Sequence, residues 1–443
     1  MDSKAIYPEN FEEKVIWNAI VWTFPFYLLG ALYIVAPVMG WLMVCYLFWR
    51  WFTQDAVTPK EYQVHVPIGV WIWIISMFVM LIALLFGHAD WDLGTAKTIK
   101  SSVGWAKGWA LLAVFPLIGC LNIRPQIIYR ATAVICKQSL FVLPFCVVAF
   151  YVGLPQELYV SPLKIVGGPG PEFFRVSLSN VTPEGAPRWF LFAPWAPALG
   201  FIACIYFLFA LQEEGRWRWF GIAGSLLMIL LCKSRLALVV IVLLPFSLYA
   251  LTNLTRVVVL AQAAFASLIA GFIAPHLLMM FEEFKAGFRA ARVDSSRVRE
   301  ALGRIAVDRW QADAPIWGHG IVERGPHLVQ YMPIGSHHSW YGLLFVKGIV
   351  GFFALAIPLL YSFIEMIFKS QTNETAKVGL GVVIIVFLYT FGENLEILAY
   401  LFWPGMVLLG IAHKQPYVSP IELSDDIESG TAEALADPIK GER

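Results

Sequence analysis

GSHHSWYGLLFVKGIVGFFALAIPLL, residues 335–360, decides the fold class. Beyond its two histidines it stays apolar for longer than the ~20 residues a helix needs to cross a bilayer core. Its one Lys, Arg, Asp or Glu is Lys347. The whole chain is of this kind, with 59% hydrophobic residues, 14% charged residues and a mean hydropathy of +0.68. A soluble domain carries roughly a quarter charged residues. The 18 tryptophans suit aromatic belts at two bilayer interfaces. The expected fold is therefore all-α, a polytopic integral membrane protein surrounded by membrane lipids. A net charge of +1 leaves no electrostatic footprint for nucleic acid. The six cysteines (45, 120, 136, 146, 204 and 232) lie in apolar stretches without C-x-x-C spacing. They read as small hydrophobes rather than disulfides or metal ligands. The opening MDSKAIYPENFEEK is polar, and the apolar run after it is too long for a signal h-region, so no cleavage is expected.

Applied along the chain, a ruler of ~20 apolar residues predicts about twelve spans. They fall near 16–33, 35–52, 66–87, 109–123, 131–152, 196–212, 217–232, 236–251, 257–280, 339–367, 378–391 and 395–412. Residues 1–280 would hold the first nine, with outer loops at 88–108 and 153–195. Residues 281–338 form a large, partly helical loop, and residues 339–412 hold the last three spans. Residues 413–443 carry seven Asp/Glu against three Lys/Arg and read as a disordered cytoplasmic tail. With the N-terminus inside, every short inner link carries one or two Lys or Arg, as the positive-inside rule requires. One relation holds in either orientation. CKSR at 232–235, the 281–338 loop and the turn GEN at 392–394 all emerge on the same face.

The charges on that face are suited to chemistry. Ser234 is a favoured N-cap, and Lys233 and Arg235 flank it at a helix start, where free N–H groups and the helix dipole attract anions. DSSRVREALGRIAVDRW, 294–310, follows a helical period. Val298, Leu302 and Ile305 share one face, while Arg297 and Arg304 lie on another. His337 and His338 stand at the mouth of the next span. The helix end and nearby guanidinium groups should lower a histidine pKa below its ordinary ~6.5. A neutral imidazole beside fixed cations can take a proton while the cations hold a phosphate ester.

Each element also has a plainer reading. Arg235 reads equally as an interfacial anchor, the Arg/Glu helix as an amphipathic face on lipid headgroups, and the histidine pair as a polar cap. Asp90 and Asp92, in HADWDLG, form a D-x-D that could hold a divalent cation. Lys347, Glu393 and Glu396 are functional candidates because charges within spans are rare, and an ion pair among them would account for them structurally.

CKSRLALVVIVLLPF resembles the Ser-Arg helix start of the O-antigen ligase and polymerase family. SSRVREALGRIAVDRWQADAPIWGHG resembles that family's extracytoplasmic segment, in which a Ser-Arg helix leads to a Pro-x-x-Gly-x-Gly turn. HHSWYGLLFVKGIVGFFAL is similar to its His-Asn-Ser-Tyr helix, ending on Leu-Gly-x-x-Gly. The register puts His337 on the family's functional histidine and His338 where Asn is usual. FRVSLSNVTPEGAP, 174–187, is a looser match that nominates Arg175. The better matches run from Arg235 to Gly351.

The resemblance implies a membrane glycosyltransferase of the bacterial inner membrane. Its donor would be a glycan on undecaprenyl pyrophosphate. Its acceptor would be a sugar hydroxyl, on a growing glycan or a lipid A core, at the periplasmic face. Arg235 and Arg297, with Arg175 and Arg292, would grip the pyrophosphate through forked hydrogen bonds. His337 or His338 would take the acceptor proton in a single inverting displacement. Lys233, Lys347 and Glu393 would support the site. No metal and no cofactor are expected. Two rivals use other parts of the sequence: a flippase or exporter, which predicts internal repeats not seen here, and a metal-dependent lipid-phosphate-sugar transferase using Asp90 and Asp92.

Overall fold

Long apolar runs close their own backbone hydrogen bonds most simply as helices, and the computed structural model of the protein is built of them. It describes residues 6–55, 57–59, 62–181, 185, 187–254, 256–290, 293–335 and 337–417. Helix accounts for 72% of the described residues and strand for 3%. The first helices are α1 (Phe11–Val21), α2 (Thr23–Leu28), α3 (Leu32–Thr53), α4 (Ile68–Asp90), α5 (Thr95–Lys107), α6 (Leu111–Ile118) and α7 (Pro125–Tyr151). Two small antiparallel hairpins follow: β1 (Glu157–Val160) with β2 (Arg175–Ser177), and β3 (Asn180–Val181) with β4 (Pro187–Arg188). Then come α8 (Ala196–Ala210), α9 (Gly215–Cys232), α10 (Arg235–Leu251), α11 (Val257–Ala290) and α12 (Val293–Asp313). The chain closes with α13 (Ser339–Lys369), α14 (Glu374–Tyr389) and α15 (Leu395–Lys414).

Among the described residues, seven helical stretches are long and apolar enough to cross a membrane: Leu32–Thr53, Ile68–Asp90, Thr95–Ile118, Pro125–Tyr151, Val257–His276, Ser339–Lys369 and Leu395–Lys414. The all-α expectation holds at that level. Two boundaries differ for physical reasons. The apolar run 16–33 does not form one helix. It breaks first at Trp22, between α1 and α2, and again at Gly30, whose φ of +66° lets the backbone pass where a Cβ would lie 2.3 Å from Ser161 Cβ. Residues 88–108 are not a plain loop, because their polar Lys and Ser positions belong to α5, which continues through α6 as one span. The tail expected to be disordered lies almost wholly outside the described residues.

α15 is the core helix, with most of its side chains buried against α6, α14, α3 and α8. One end of the bundle is fixed by a polar network. His413 shares hydrogen bonds with Glu365 at 2.8 Å and Ser362 at 3.1 Å, while Lys369 pairs with Glu365 at 2.6 Å. Trp73 on α4 donates to Ser362 at 2.9 Å. Arg130 and Glu213, both buried, join α7 to the α8–α9 link at 2.9 Å.

α13 is not continuous. At Gly348 the backbone leaves the helical region (φ 61°, ψ −162°). The segment PIWGHG, 315–320, enters the gap and takes up the freed groups. His319 and Gly320 N–H donate to the carbonyls of Phe345 and Val346 at 2.8 and 2.9 Å. Ile349 N–H donates to the carbonyl of Pro315 at 3.0 Å. Gly348 has no room for a side chain, since a Cβ there would lie 2.1 Å from the carbonyl oxygen of Ile316. The Pro-x-x-Gly-x-Gly turn is thus a backbone plug for a broken helix.

Candidate active site at the histidine pair

Four segments meet at the start of α13. Ser234 caps α10, accepting from Ala237 N–H at 3.4 Å, which puts Arg235 on the first turn. Leu236, next along, lies against the GEN turn: a Cβ on Gly392 would come within 2.8 Å of its Cδ2. Lys233 sits in the left-handed region (φ 52°, ψ 34°) where the chain reverses between α9 and α10, and is exposed. The GEN turn is fastened to α13. Ser339 N–H donates to the carbonyl of Thr390 at 2.8 Å, and Trp340 Nε1 to Thr390 Oγ1 at 2.7 Å. α12 reaches the same place, because Gly303 is small enough to lie against the Tyr341 ring.

The two histidines sit in different settings. His338 caps α13, its Nδ1 accepting from Tyr341 N–H at 3.4 Å, and its ring stacks on that of Tyr341 at 3.9 Å. His337 is half-buried and held at φ +64°, a region costly for a non-glycine residue and typical of functional sites. Burial first, and the Arg299 guanidinium second, pull the His337 imidazole down to about 4. Burial alone takes His338 to about 4. Both rings are neutral at neutral pH.

Glu393 is the carboxyl of the site. It is buried, and Trp195 Nε1 donates to its Oε2 at 2.9 Å. Burial pushes it up to about 7, against the opposing effects of the Trp195 hydrogen bond and the Arg299 charge. It does not pair with Lys347. The carboxylate whose field reaches that lysine is Glu396.

The structure therefore brings the helix start at Arg235, His337, His338 and Glu393 to one place and adds two groups that the sequence did not single out, Arg299 and Trp195. Arg297 is on α12 but two residues from Arg299, about 200° around the helix. Of the two, Arg299 is the one whose charge reaches His337 and Glu393. The signal was present in the sequence: Arg299, Gly303 and Ala306 share a face, and the small residues mark where α12 packs. Val298, Ala301 and Leu302 bury a different face with Val329, as the periodicity required. Arg175 lies on β2 with Glu157 as its ion-pair partner at 3.4 Å. Arg292 falls outside the described residues. Asp90 and Asp92 gain no third ligand: among the described residues no group of three or more His, Cys, Asp or Glu is placed to hold a metal.

Beside His338 an apolar cavity of about 670 Å³ runs between α13 and α14, lined by Tyr341, Phe352, Leu359, Phe387 and Phe391 among others. No protein-family model matches the chain, and no curated protein is similar to it in sequence.

Proposed function

We propose that the protein is a multi-pass enzyme of a bacterial inner membrane that moves a glycan from undecaprenyl pyrophosphate to a sugar hydroxyl at the periplasmic face. Seven spans by length and composition support insertion. The shorter apolar helices α8 and α10, with α1–α2, α9 and α14, would complete a bundle of about twelve crossings. The observation that carries the reading is one meeting point: the Arg235 helix start, Arg299, the neutral histidine pair and buried Glu393, at the mouth of an apolar cavity. Guanidinium groups hold a pyrophosphate bidentately, and the cavity has the chemistry to take the isoprenoid chain behind it. An acceptor hydroxyl then loses its proton to a neutral base and attacks the anomeric carbon. The C–O bond to pyrophosphate breaks with its electron pair on the leaving phosphate oxygen, and one displacement inverts the centre. Arg235 and Arg299 stabilise the charge that develops there. The reaction does not call on a metal.

His337 is the base that the motif nominates. Glu393 is a second reading, favoured by its buried carboxyl raised to about 7, nearer the working pH of a general base. The decisive experiment is transfer from a defined lipid-pyrophosphate glycan by the purified chain in detergent, with and without chelator. Transfer that resists chelator and fails in Arg235→Lys and Arg299→Lys supports the reading. Loss of transfer in chelator favours the metal-dependent rival. Transport of an intact lipid-linked glycan without bond cleavage favours the exporter.

A further inference from the structure

A polar cleft opens beside the PIWGHG plug. It encloses about 440 Å³ and is lined by Asp90 and Trp91 at the end of α4, Asp313 at the end of α12, and Trp317 and Gly318 in the plug. Pockets for small ligands start near ~300 Å³. Each indole has one face covered by a neighbour. Trp317 stacks on Phe86 at 4.7 Å and Trp91 on His319 at 5.0 Å. Trp91 is still 41% exposed and is fixed in place by its own hydrogen bond to the Gly318 carbonyl at 3.2 Å. Arg309 donates to Asp313 at 3.2 Å and holds its carboxyl below the usual range, so this oxygen pair is ionised.

Behind the cleft stands an unsatisfied group. His319 is 1% exposed, its ring sandwiched between Trp91 and Phe345. Its Nδ1 faces the Phe345 carbonyl at 3.0 Å. Its Nε2 has no hydrogen-bond partner and is directed at Asp313 Oδ2, 3.5 Å away. Buried polar atoms left unpaired are rare, and each calls for a reason. Here the carboxylate it faces is one that the cleft presents to a ligand.

Rigid indole faces beside carboxylate oxygens match a pyranose, which offers an apolar ring face for stacking and hydroxyls that donate. We infer that this cleft is a carbohydrate subsite, binding a neutral hexose unit of the glycan at a distance from the reacting bond. Two carboxylates would repel an acidic sugar. Gly348, where the plug enters α13, is about ten residues past His338, or ~15 Å along a helix axis. The bound unit is therefore not the one that reacts. The choice of a sugar as ligand rests on the transferase reading, while the cleft's geometry does not.

The test is saccharide binding to the full chain in nanodiscs by calorimetry. The probes are neutral trisaccharides of glucose, galactose and mannose, with digalacturonate as the acidic counterpart. At least one neutral trisaccharide should bind and digalacturonate should not. Trp91→Ala and Asp313→Asn should each weaken binding about tenfold or more, whereas Trp91→Phe keeps most of it. If Trp91→Ala fails to fold, Asp313→Asn decides alone, because that side chain is 39% exposed and can be changed without disturbing a core. The inference is overturned if no neutral trisaccharide binds, if both variants bind like the wild type, or if digalacturonate binds equally well. Saccharide binding without any transfer from a lipid-linked donor would remove the transferase reading and leave the cleft. Transfer without saccharide binding would remove the cleft alone.

Discussion

Ser339 Oγ donates a hydrogen bond to the main-chain carbonyl of Glu393 at 2.8 Å and accepts one from Leu395 N–H at 3.1 Å. One buried hydroxyl therefore fastens the first residue of α13 to the turn that opens α15, and sets the spacing between the histidine pair and the Glu393 carboxyl. Ser339→Ala leaves a buried donor and a buried acceptor unpaired, at ~1–3 kcal/mol each. The variant should melt at a lower temperature in detergent and transfer more slowly, while Arg235 and Arg299 still hold the donor. An unchanged melting temperature would mean that solvent replaces the hydroxyl and that the tie does not set the spacing.

The two candidate bases separate in a pH–rate profile. A base works only when deprotonated, so the rate falls as pH drops through its pKa. With His337 as base the acid limb lies near 4; with Glu393 it lies near 7. His337→Ala should lower the rate by ~10²–10⁴ if it is the base. His338→Asn should keep most activity, because Asn is a good N-cap and replaces the acceptor for Tyr341 N–H. A dead His338→Ala beside an active His337→Ala would move the assignment by one residue. If both are active and Glu393→Gln is dead, Glu393 is the base.

Arg299 tests the electrostatics of the same site. Its charge opposes protonation of His337 and favours ionised Glu393, so it lowers both. Arg299→Gln should therefore move the acid limb to higher pH whichever base is used, and weaken donor binding. Linkage predicts a stability effect as well. Histidines held down to about 4 in the folded chain take up protons first in the unfolded chain, near ~6.5. Their contribution is present above ~6.5 and is lost as pH falls toward 4, while Glu393, held up to about 7, takes its proton first in the folded chain and offsets part of that loss. A melting temperature that is flat between pH 7 and 4.5 in the wild type would contradict the burial of both rings.

Much of this was legible in the sequence because the bilayer criterion acts on composition. The runs at 35–52, 66–87 and 395–412 became helices near their expected limits, and CKSR, the α12 helix and GEN come together at the start of α13. What stayed hidden depended on angles and contacts. Arg297 and Arg299 are equally basic, and only the packing of Gly303 on Tyr341 shows which of them faces α13. Gly348 reads as part of an apolar run, and only the entering backbone of 315–320 shows why the helix breaks there. Glu393 and Glu396 are three residues apart, and their separate partners, Trp195 and Lys347, come from distant helices.

Those separate partners give the last prediction. Lys347 is buried on the turn before the α13 break, with Glu396 as the carboxylate whose field reaches it. A charge stranded in a low-dielectric interior is far worse than no charge, and removing one member of such a pair costs ~3–5 kcal/mol where removing both can be nearly neutral. Lys347→Met should therefore express poorly and unfold early. Adding Glu396→Gln should restore the folded protein, seen as recovery of a monodisperse peak and of the melting temperature. Adding Glu393→Gln should not, because that carboxyl is held by Trp195. Rescue by Glu393→Gln in place of Glu396→Gln would reverse the pairing. A stable Lys347→Met that has lost transfer would show that the lysine acts on the substrate rather than on the fold.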